Sequence, residues 1–356
     1  MSATNGLAFS LRSRSGLIGC CMALVLMASA LLASTASAAK PPLKPTAYVA
    51  IGDSLAFGYT QEKFDLNLPT ESPSAFEGGY VNYVYKKLVG KEKHAGNALN
   101  LVNLGCPGET SDGVIGHALG NPGAEYNPCA YHNLAGFPLH VAFGGASELE
   151  AAIGAVTNPG VPVKLVTINI GSNDELASVS KCENPTYVAE QGFAGGMLEC
   201  LVTEVGPGSH QYPGLGVFGH IITNVGTTIG ALRAYGYTGP VVVAGFYNPQ
   251  AELLAGSDSL QKALNETFEG YIAGNAFGPG VTYANPFPAF NPQNKNEASR
   301  ICAYTEECNA FDKKVNLEAI TKGPVTAEEA AGYPVGDIHP TPLGYEKLGA
   351  IVFKAI

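Results

Sequence analysis

The chain has 356 residues and a formal net charge of −10, and charged residues make up only 14% of it, against a usual level of about 25%. This acidic balance argues against nucleic-acid binding, which depends on basic residues that neutralise phosphates. The low charge density suits an extracellular protein that meets neutral or apolar substrates, and the length is sufficient for one large α/β domain.

The first 38 residues have the pattern of a secretory signal peptide. Arg12 and Arg14 precede an uncharged, mostly apolar run at 16–33, and Ala-Ser-Ala at 36–38 fits a small-residue cleavage site. An uncleaved anchor is the alternative, because eighteen residues can barely span a bilayer. The cleavage site favours removal near Ala38. We therefore predict a secreted protein without a stable membrane span after cleavage.

The remaining chain divides into a short linker at 39–46 and one domain at 47–356. Five short apolar runs rich in β-branched residues predict buried parallel strands at 47–51, 99–104, 163–170, 241–245 and 281–284. Helical patterns occur at 80–89, 148–156, 217–235, 257–276 and 342–355. Strands that alternate with helices predict a parallel sheet with helices on both faces. Three long loop insertions interrupt this pattern, at 106–147, 174–215 and 285–333.

Six cysteines follow the cleavage site: Cys106, Cys129, Cys182, Cys200, Cys302 and Cys308. An even number of cysteines in an exported chain indicates disulfides. Six cysteines allow fifteen pairings, of which the simplest is sequential: 106–129, 182–200 and 302–308. A zinc site is disfavoured, because no Cys-x-x-Cys pair exists and no histidine has the spacing of a zinc finger.

Four separated blocks contain the groups that ester hydrolysis needs. Hydrolysis requires a nucleophile, a base that takes its proton, and donors aimed at the developing oxyanion. Block 52–55 (Gly-Asp-Ser-Leu) follows the first strand, block 103–110 the second and block 171–174 (Gly-Ser-Asn-Asp) the third, and block 337–340 (Asp-Ile-His-Pro) precedes the last helix. Because carboxyl ends of parallel strands meet at one edge of the sheet, these blocks are expected to converge.

The four blocks, in this order, resemble those of the GDSL or SGNH-hydrolase family of esterases and lipases over nearly the whole mature chain. The resemblance implies a three-layer α/β/α, flavodoxin-like sandwich with a five-stranded parallel sheet. It also implies that Ser54 is the nucleophile and that His339 is the general base and then the general acid. The backbone N–H groups of Ser54 and Gly108 and the side chain of Asn173 would form the oxyanion hole. No metal or organic cofactor is implied.

One departure from the family pattern concerns the catalytic acid. The family usually places an aspartate three residues before the histidine, where this chain has Gly336, and Asp337 lies two residues before His339. A shift of one position redirects the side chain. Asp337 completes a triad if it still reaches the imidazole. Otherwise a backbone carbonyl orients the ring of a serine–histidine dyad.

Other functions remain open at this point. An acyltransferase or a carbohydrate deacetylase would use the same site, and a non-catalytic secreted binding protein would use the same fold. An α/β-hydrolase is disfavoured, because Ser54 lies on the first strand and Ala56 stands where the second glycine of Gly-x-Ser-x-Gly belongs. The expected substrate is a small-molecule or lipid ester. The pattern indicates neither its acyl chain length nor the oligomeric state.

Overall fold

The computed structural model describes residues 40–67, 72–116, 129, 132, 137–249, 251, 256–293, 299–312 and 334–356. Contacts divide the chain into Met1–Pro42 and Leu43–Ile356. The predicted signal peptide, residues 1–38, lies outside the described residues. Within the described ranges, no helix combines the length and the apolar character that a membrane crossing needs.

Five parallel strands form the central sheet, as predicted. They are β1 (Lys44–Gly52), β2 (Asn97–Asn103), β3 (Val163–Asn169), β4 (Val241–Ala244) and β5 (Val281–Ala284). Their order in the sheet is β2-β1-β3-β4-β5, and β1 pairs with both β2 and β3. Strand β1 begins inside the stretch that we predicted as a linker, since Lys44 already pairs with Asn97.

Helices cover both faces of this sheet, and some of them lie in the predicted loop insertions. They are α1 (Ser54–Phe57), α2 (Gln61–Asn67), α3 (Tyr80–His94), α4 (Ser111–Ile115), α5 (Glu148–Val156), α6 (Ser172–Glu183), α7 (Pro185–Glu190), α8 (Met197–Val205), α9 (Gly216–Ala234), α10 (Ser257–Ala273), α11 (Phe287–Phe290), α12 (Ile301–Tyr304) and α13 (Pro342–Lys354). All five predicted helices are present, with ends that differ by a few residues.

Strand β1 shows why the fold has three layers. Tyr48 and Ala50 belong to an apolar cluster with residues of α3 and α13. Val49 and Ile51 belong to a second cluster with residues of α5 and α9. Because successive side chains of a strand point to opposite faces of the sheet, this alternation buries both faces under helices.

The insertion at 174–215 is folded, although the sequence predicted a long loop. It contains most of α6 and all of α7 and α8. Cys182 and Cys200 form a disulfide between α6 and α8, and Phe193 and Leu201 are buried beside it. These helices depend on a local apolar cluster and a covalent link, so their short periodic patterns were not recognisable in the sequence.

The other two sequential disulfides are also present, between Cys106 and Cys129 and between Cys302 and Cys308. The sequential pairing is therefore confirmed.

The last insertion, 285–333, includes an element that the sequence analysis missed. Strand β6 (Thr305–Asp312) pairs antiparallel with β7 (Pro334–Pro340) in a separate two-stranded sheet. Strand β7 therefore gives an extended backbone to the block that holds His339.

Candidate active site

The turn after β1 presents Ser54 at the carboxyl edge of the sheet. A Cβ atom on Gly52 would lie 2.3 Å from the backbone oxygen of Asn169, so only glycine fits at this close approach between β1 and β3. The N–H of Asp53 donates to the same Asn169 oxygen at 3.1 Å. The side chain of Asp53 then caps α1 by accepting the N–H of Leu55 at 2.9 Å.

Ser54, His339 and Asp337 form a continuous chain of hydrogen bonds. The Oγ of Ser54 lies 2.8 Å from Nε2 of His339, and Nδ1 of the same ring lies 2.5 Å from Oδ1 of Asp337. The spacing of two works because β7 is extended, which places residues i and i+2 on one face of the strand. An irregular loop is therefore not needed for Asp337 to reach the imidazole.

Three groups outside β7 hold this histidine segment in place. The N–H of Gln61 donates to Oδ2 of Asp337 at 2.8 Å, and the hydroxyl of Tyr247 donates to the backbone oxygen of Ile338 at 2.6 Å. The ring of Tyr59 meets the imidazole of His339 edge-on, with 4.8 Å between ring centroids. All three of these partners are themselves buried, which restricts the movement of the segment.

The histidine also keeps Asp337 ionised. Burial alone would raise the pKa of Asp337, but the charge and hydrogen bond of His339 and the N–H of Gln61 outweigh burial and hold the pKa below its usual value. An ionised Asp337 accepts a hydrogen bond from Nδ1–H. The proton therefore stays on Nδ1, and Nε2 is free to accept a proton from Ser54.

The two remaining predicted residues lie close together, Gly108 in the loop after β2 and Asn173 in the first turn of α6. Gly108 has a φ of 78°, a conformation that favours glycine. The Nδ2 atom of Asn173 donates to the backbone oxygen of Glu109 at 2.7 Å, so the amide rests against the loop that contains Gly108. A side-chain amide has two N–H groups. This contact uses one of them and orients the other.

A backbone contact links the loop of Gly108 to the turn that holds Ser54. The N–H of Cys106 donates to the oxygen of Gly52 at 2.8 Å. The loop that holds Gly108 therefore begins beside the residue that precedes Asp53 and Ser54. All four sequence blocks meet at one edge of the sheet.

Three buried acids beneath this edge had no role in the sequence analysis. Glu148 accepts the N–H of Gly52 at 2.7 Å, and Glu109 accepts the N–H groups of Cys129 and Thr110. Among the described residues, Oε1 of Glu148 and Oδ2 of Asp53 have no hydrogen-bond partner. No sequence pattern distinguishes these acids from exposed ones, since their burial depends on the packed fold.

Burial raises the pKa of all three acids. It does so to about 7 for Asp53 and to about 8 for Glu109, where backbone N–H donors oppose the rise. Burial raises the pKa of Glu148 well above its usual value, and the nearby charge of Glu109 adds to the effect. These acids therefore retain protons at pH values at which an exposed carboxyl group is ionised.

Cys106, Glu109 and Cys129 bring their ligand atoms close together. The two sulfur atoms form a disulfide. They are therefore not thiolates, the form in which cysteine binds a metal, and one carboxylate does not make a metal site.

A model of the GDSL-like lipase/acylhydrolase family matches residues 50–347. The chain belongs to this family. The match extends from the end of β1 into the last helix, so it includes Ser54, Gly108, Asn173 and His339. No curated protein matches the chain.

Solved structures of other family members and esterases are similar to this chain. A lipase from a goat rumen metagenome has 14% sequence identity and a TM-score of 0.43, over 87% of this chain and 97% of that one. An acetyl-xylooligosaccharide esterase from Geobacillus Stearmophilus has 13% identity and a TM-score of 0.43, over 87% and 93% of the two chains. A member of the lipolytic protein G-D-S-L family from Veillonella parvula has 14% identity and a TM-score of 0.37, over 87% and 98%.

Proposed function

We propose that this GDSL-family hydrolase is a secreted serine esterase or lipase that hydrolyses carboxylic esters through an acyl-enzyme on Ser54. The observation that carries the proposal is the hydrogen-bonded chain from Ser54 Oγ through both ring nitrogens of His339 to Asp337. A nucleophile, a base and a group that orients the base are the three parts that activate a serine.

The reaction proceeds in two halves. Nε2 of His339 takes the proton of Ser54 as Oγ attacks the ester carbonyl carbon, and the carbonyl oxygen becomes an oxyanion. The imidazolium then gives this proton to the leaving alcohol as the carbon–oxygen ester bond breaks. In the second half His339 takes a proton from water as the water oxygen attacks the acyl-enzyme carbonyl carbon. The imidazolium then gives this proton to Oγ of Ser54 as the bond between Oγ and the acyl carbon breaks, which releases the acid and restores Ser54.

Asp337 supports both halves as the third member of a triad. Its carboxylate accepts a hydrogen bond from the Nδ1–H of His339 and stabilises the imidazolium that forms in each half. The short contact between Asp337 Oδ1 and His339 Nδ1 and the lowered pKa of Asp337 support the triad over a dyad.

The oxyanion hole consists of the N–H groups of Ser54 and Gly108 and the side chain of Asn173. Support comes from the contact between Asn173 and the backbone oxygen of Glu109, next to Gly108. Removal of one such donor costs on the order of 10²–10³ in kcat. We therefore expect Asn173→Ala to lose activity to this extent.

The disulfides support the part of the proposal that concerns secretion. The described residues include three disulfides. Disulfides persist in oxidising compartments and are rare in the cytosol. Together with the signal-peptide pattern, they favour a secreted enzyme cleaved near Ala38. Mass spectrometry of the protein from culture medium tests this, and a mature protein that begins at Met1 would exclude cleavage.

The hydrolase assay uses p-nitrophenyl esters from acetate to palmitate, with Ser54→Ala as the control. We expect hydrolysis by the wild-type protein and its loss in the variant, and the chain-length series defines the acyl group that fits. A fluorophosphonate probe should label Ser54. Absence of both hydrolysis and labelling would favour a non-catalytic binding protein.

Product analysis with added alcohols and sugars distinguishes the remaining alternatives. Transfer of the acyl group to an added alcohol would identify an acyltransferase. Release of acetate from an acetylated sugar in preference to simple esters would identify a carbohydrate deacetylase.

A further inference from the structure

A buried carboxylate that the proposed mechanism does not use joins the first turn of α6, where Asn173 lies, to the segment that follows Gly108. Asp174 follows Asn173 directly and is 6% exposed. Its Oδ2 accepts the N–H of Ser111 at 2.9 Å, and its Oδ1 accepts the hydroxyl of Ser111 at 2.7 Å. Both carboxylate oxygens of Asp174 therefore accept hydrogen bonds from one residue, Ser111.

Helix α9 completes this network from behind. The Nδ2 atom of Asn224 donates to Oγ of Ser111 at 3.0 Å and to Oδ1 of Asp112 at 3.0 Å. Nε2 of His220 lies 2.8 Å from the same Asp112 oxygen. The hydroxyl of Ser111 thus donates to Asp174 and accepts from Asn224, which leaves it no freedom to rotate to other partners.

The electrostatics agree with this geometry. Burial raises the pKa of Asp174 to about 6, with a smaller rise from the charge of Asp112, while the bonds from Ser111 and the charge of His220 act to lower it. At pH 7 the group is mainly ionised. An ionised carboxylate offers acceptors on both oxygens, which is what the N–H and O–H of Ser111 require.

We propose that Asp174 is a positioning residue that sets the separation between the Asn173 amide and the Gly108 N–H by clamping Ser111. This inference rests on the proposed function. Asn173 and Asp174 are adjacent in α6, and both bind the 108–111 segment, one at the Glu109 oxygen and one at Ser111. Displacement of α6 or of the 108–111 segment would move one oxyanion donor relative to the other. Displacement of a reacting group by 1 Å can cost about 10²-fold in rate.

The first test compares Asp174→Ala and Asp174→Asn with a matched control, Glu175→Gln. Glu175 lies in the same turn of α6 but contacts Gln261 of α10 instead of the clamped loop. We expect Asp174→Ala to lower kcat by about 10²-fold with KM nearly unchanged. Asp174→Asn should recover part of this loss, since its oxygen can accept the N–H of Ser111, and Glu175→Gln should retain wild-type kcat. Wild-type kcat in Asp174→Ala would overturn the proposal.

A double-mutant cycle separates positioning from general loss of stability. If Asp174 acts through Asn173, the Asp174→Ala change should cost far less in an Asn173→Ala background than in the wild type. Equal costs in both backgrounds would overturn the positioning role. Should Asp174→Ala fail to fold, Ser111→Ala serves in its place, because it removes only the hydroxyl bonds and keeps the N–H contact.

Hydrogen–deuterium exchange of the 107–115 peptide provides a measurement that needs no substrate. We expect faster exchange in Asp174→Ala and wild-type exchange in Glu175→Gln. Unchanged exchange in Asp174→Ala would overturn the clamp. A wild-type protein that hydrolyses no ester would instead defeat the proposed function, while the exchange data would still decide whether Asp174 holds the loop.

Discussion

Four buried acids at the edge of the sheet fall into two groups whose pKa values are shifted in opposite directions. Asp337 contacts the imidazole of His339, and its pKa lies below the usual value. Asp53, Glu109 and Glu148 accept hydrogen bonds from backbone N–H groups, and burial raises the pKa of each. With similar burial, the pKa is therefore lowered where the imidazole is hydrogen-bonded to the acid and raised where only backbone amides are.

In the proposed mechanism, this difference separates a catalytic task from a structural one. A triad acid must carry charge to stabilise the imidazolium. The other three acids, Asp53, Glu109 and Glu148, need only an acceptor oxygen for a backbone donor. A protonated carboxyl group still provides this acceptor through its carbonyl oxygen. We therefore expect removal of charge to abolish the function of Asp337 but to leave that of Glu148 intact.

The largest expected effect follows from Asp337→Asn. The amide keeps the size of the side chain but removes its charge and presents the wrong partner to Nδ1. We expect kcat to fall by about 10⁴-fold, as for the aspartate of a serine-protease triad. Steady-state hydrolysis of the best p-nitrophenyl ester measures this change.

The control for Asp337→Asn is Glu307→Gln, which changes a nearby acid whose pKa is raised by burial and by the charge of Asp337. This variant should retain most of the activity. A nearly unchanged kcat in Asp337→Asn would show that the chain uses a serine–histidine dyad.

Sequence patterns predicted the sheet well and the acid poorly, for a physical reason. The five strands are continuous apolar runs because both faces of a parallel sheet are buried, and such runs can be recognised without a structure. The role of Asp337 depends on whether 337–339 is extended, and this follows from pairing of β7 with β6. That pairing is not local, so the spacing of two residues could not be interpreted from the sequence alone.

The cysteines and the insertion at 174–215 illustrate the same limit. Sequential pairing could be predicted because each disulfide closes a short local loop. The helices that the Cys182–Cys200 disulfide joins could not be predicted, because their stability comes from burial of Phe193 and Leu201 against that disulfide. Short helices without a long amphipathic pattern depend on tertiary contacts.

An intermediate effect is expected from Glu148→Gln, and it concerns stability rather than rate. Below the usual glutamate pKa both folded and unfolded chains hold the proton. As pH rises further, the unfolded chain releases it while the folded chain keeps it, because the folded pKa is raised. Stability therefore falls with pH across this window, and the variant should remove up to about 1.4 kcal/mol per pH unit from that slope.

Urea unfolding of the wild type and Glu148→Gln at pH 5, 6, 7 and 8 measures this slope. Glu266→Gln is the matched control, since Glu266 is exposed and pairs with Lys262 on the surface of α10. Parallel curves for the wild type and Glu148→Gln would contradict a retained proton. The kcat of Glu148→Gln should stay close to the wild-type value, because its oxygen can still accept the N–H of Gly52.

The smallest expected effect concerns the helix cap that the side chain of Asp53 forms. Its Oδ1 caps the helix that begins at Ser54, and asparagine caps helices as well as aspartate does. We expect Asp53→Ala to lower the free energy of unfolding by about 1 kcal/mol more than Asp53→Asn does. Urea unfolding of the two variants gives the comparison. Neither variant has a carboxyl group at position 53, so the difference between them reports the cap without a difference in charge. Equal stabilities of the two variants would mean that the cap contributes nothing.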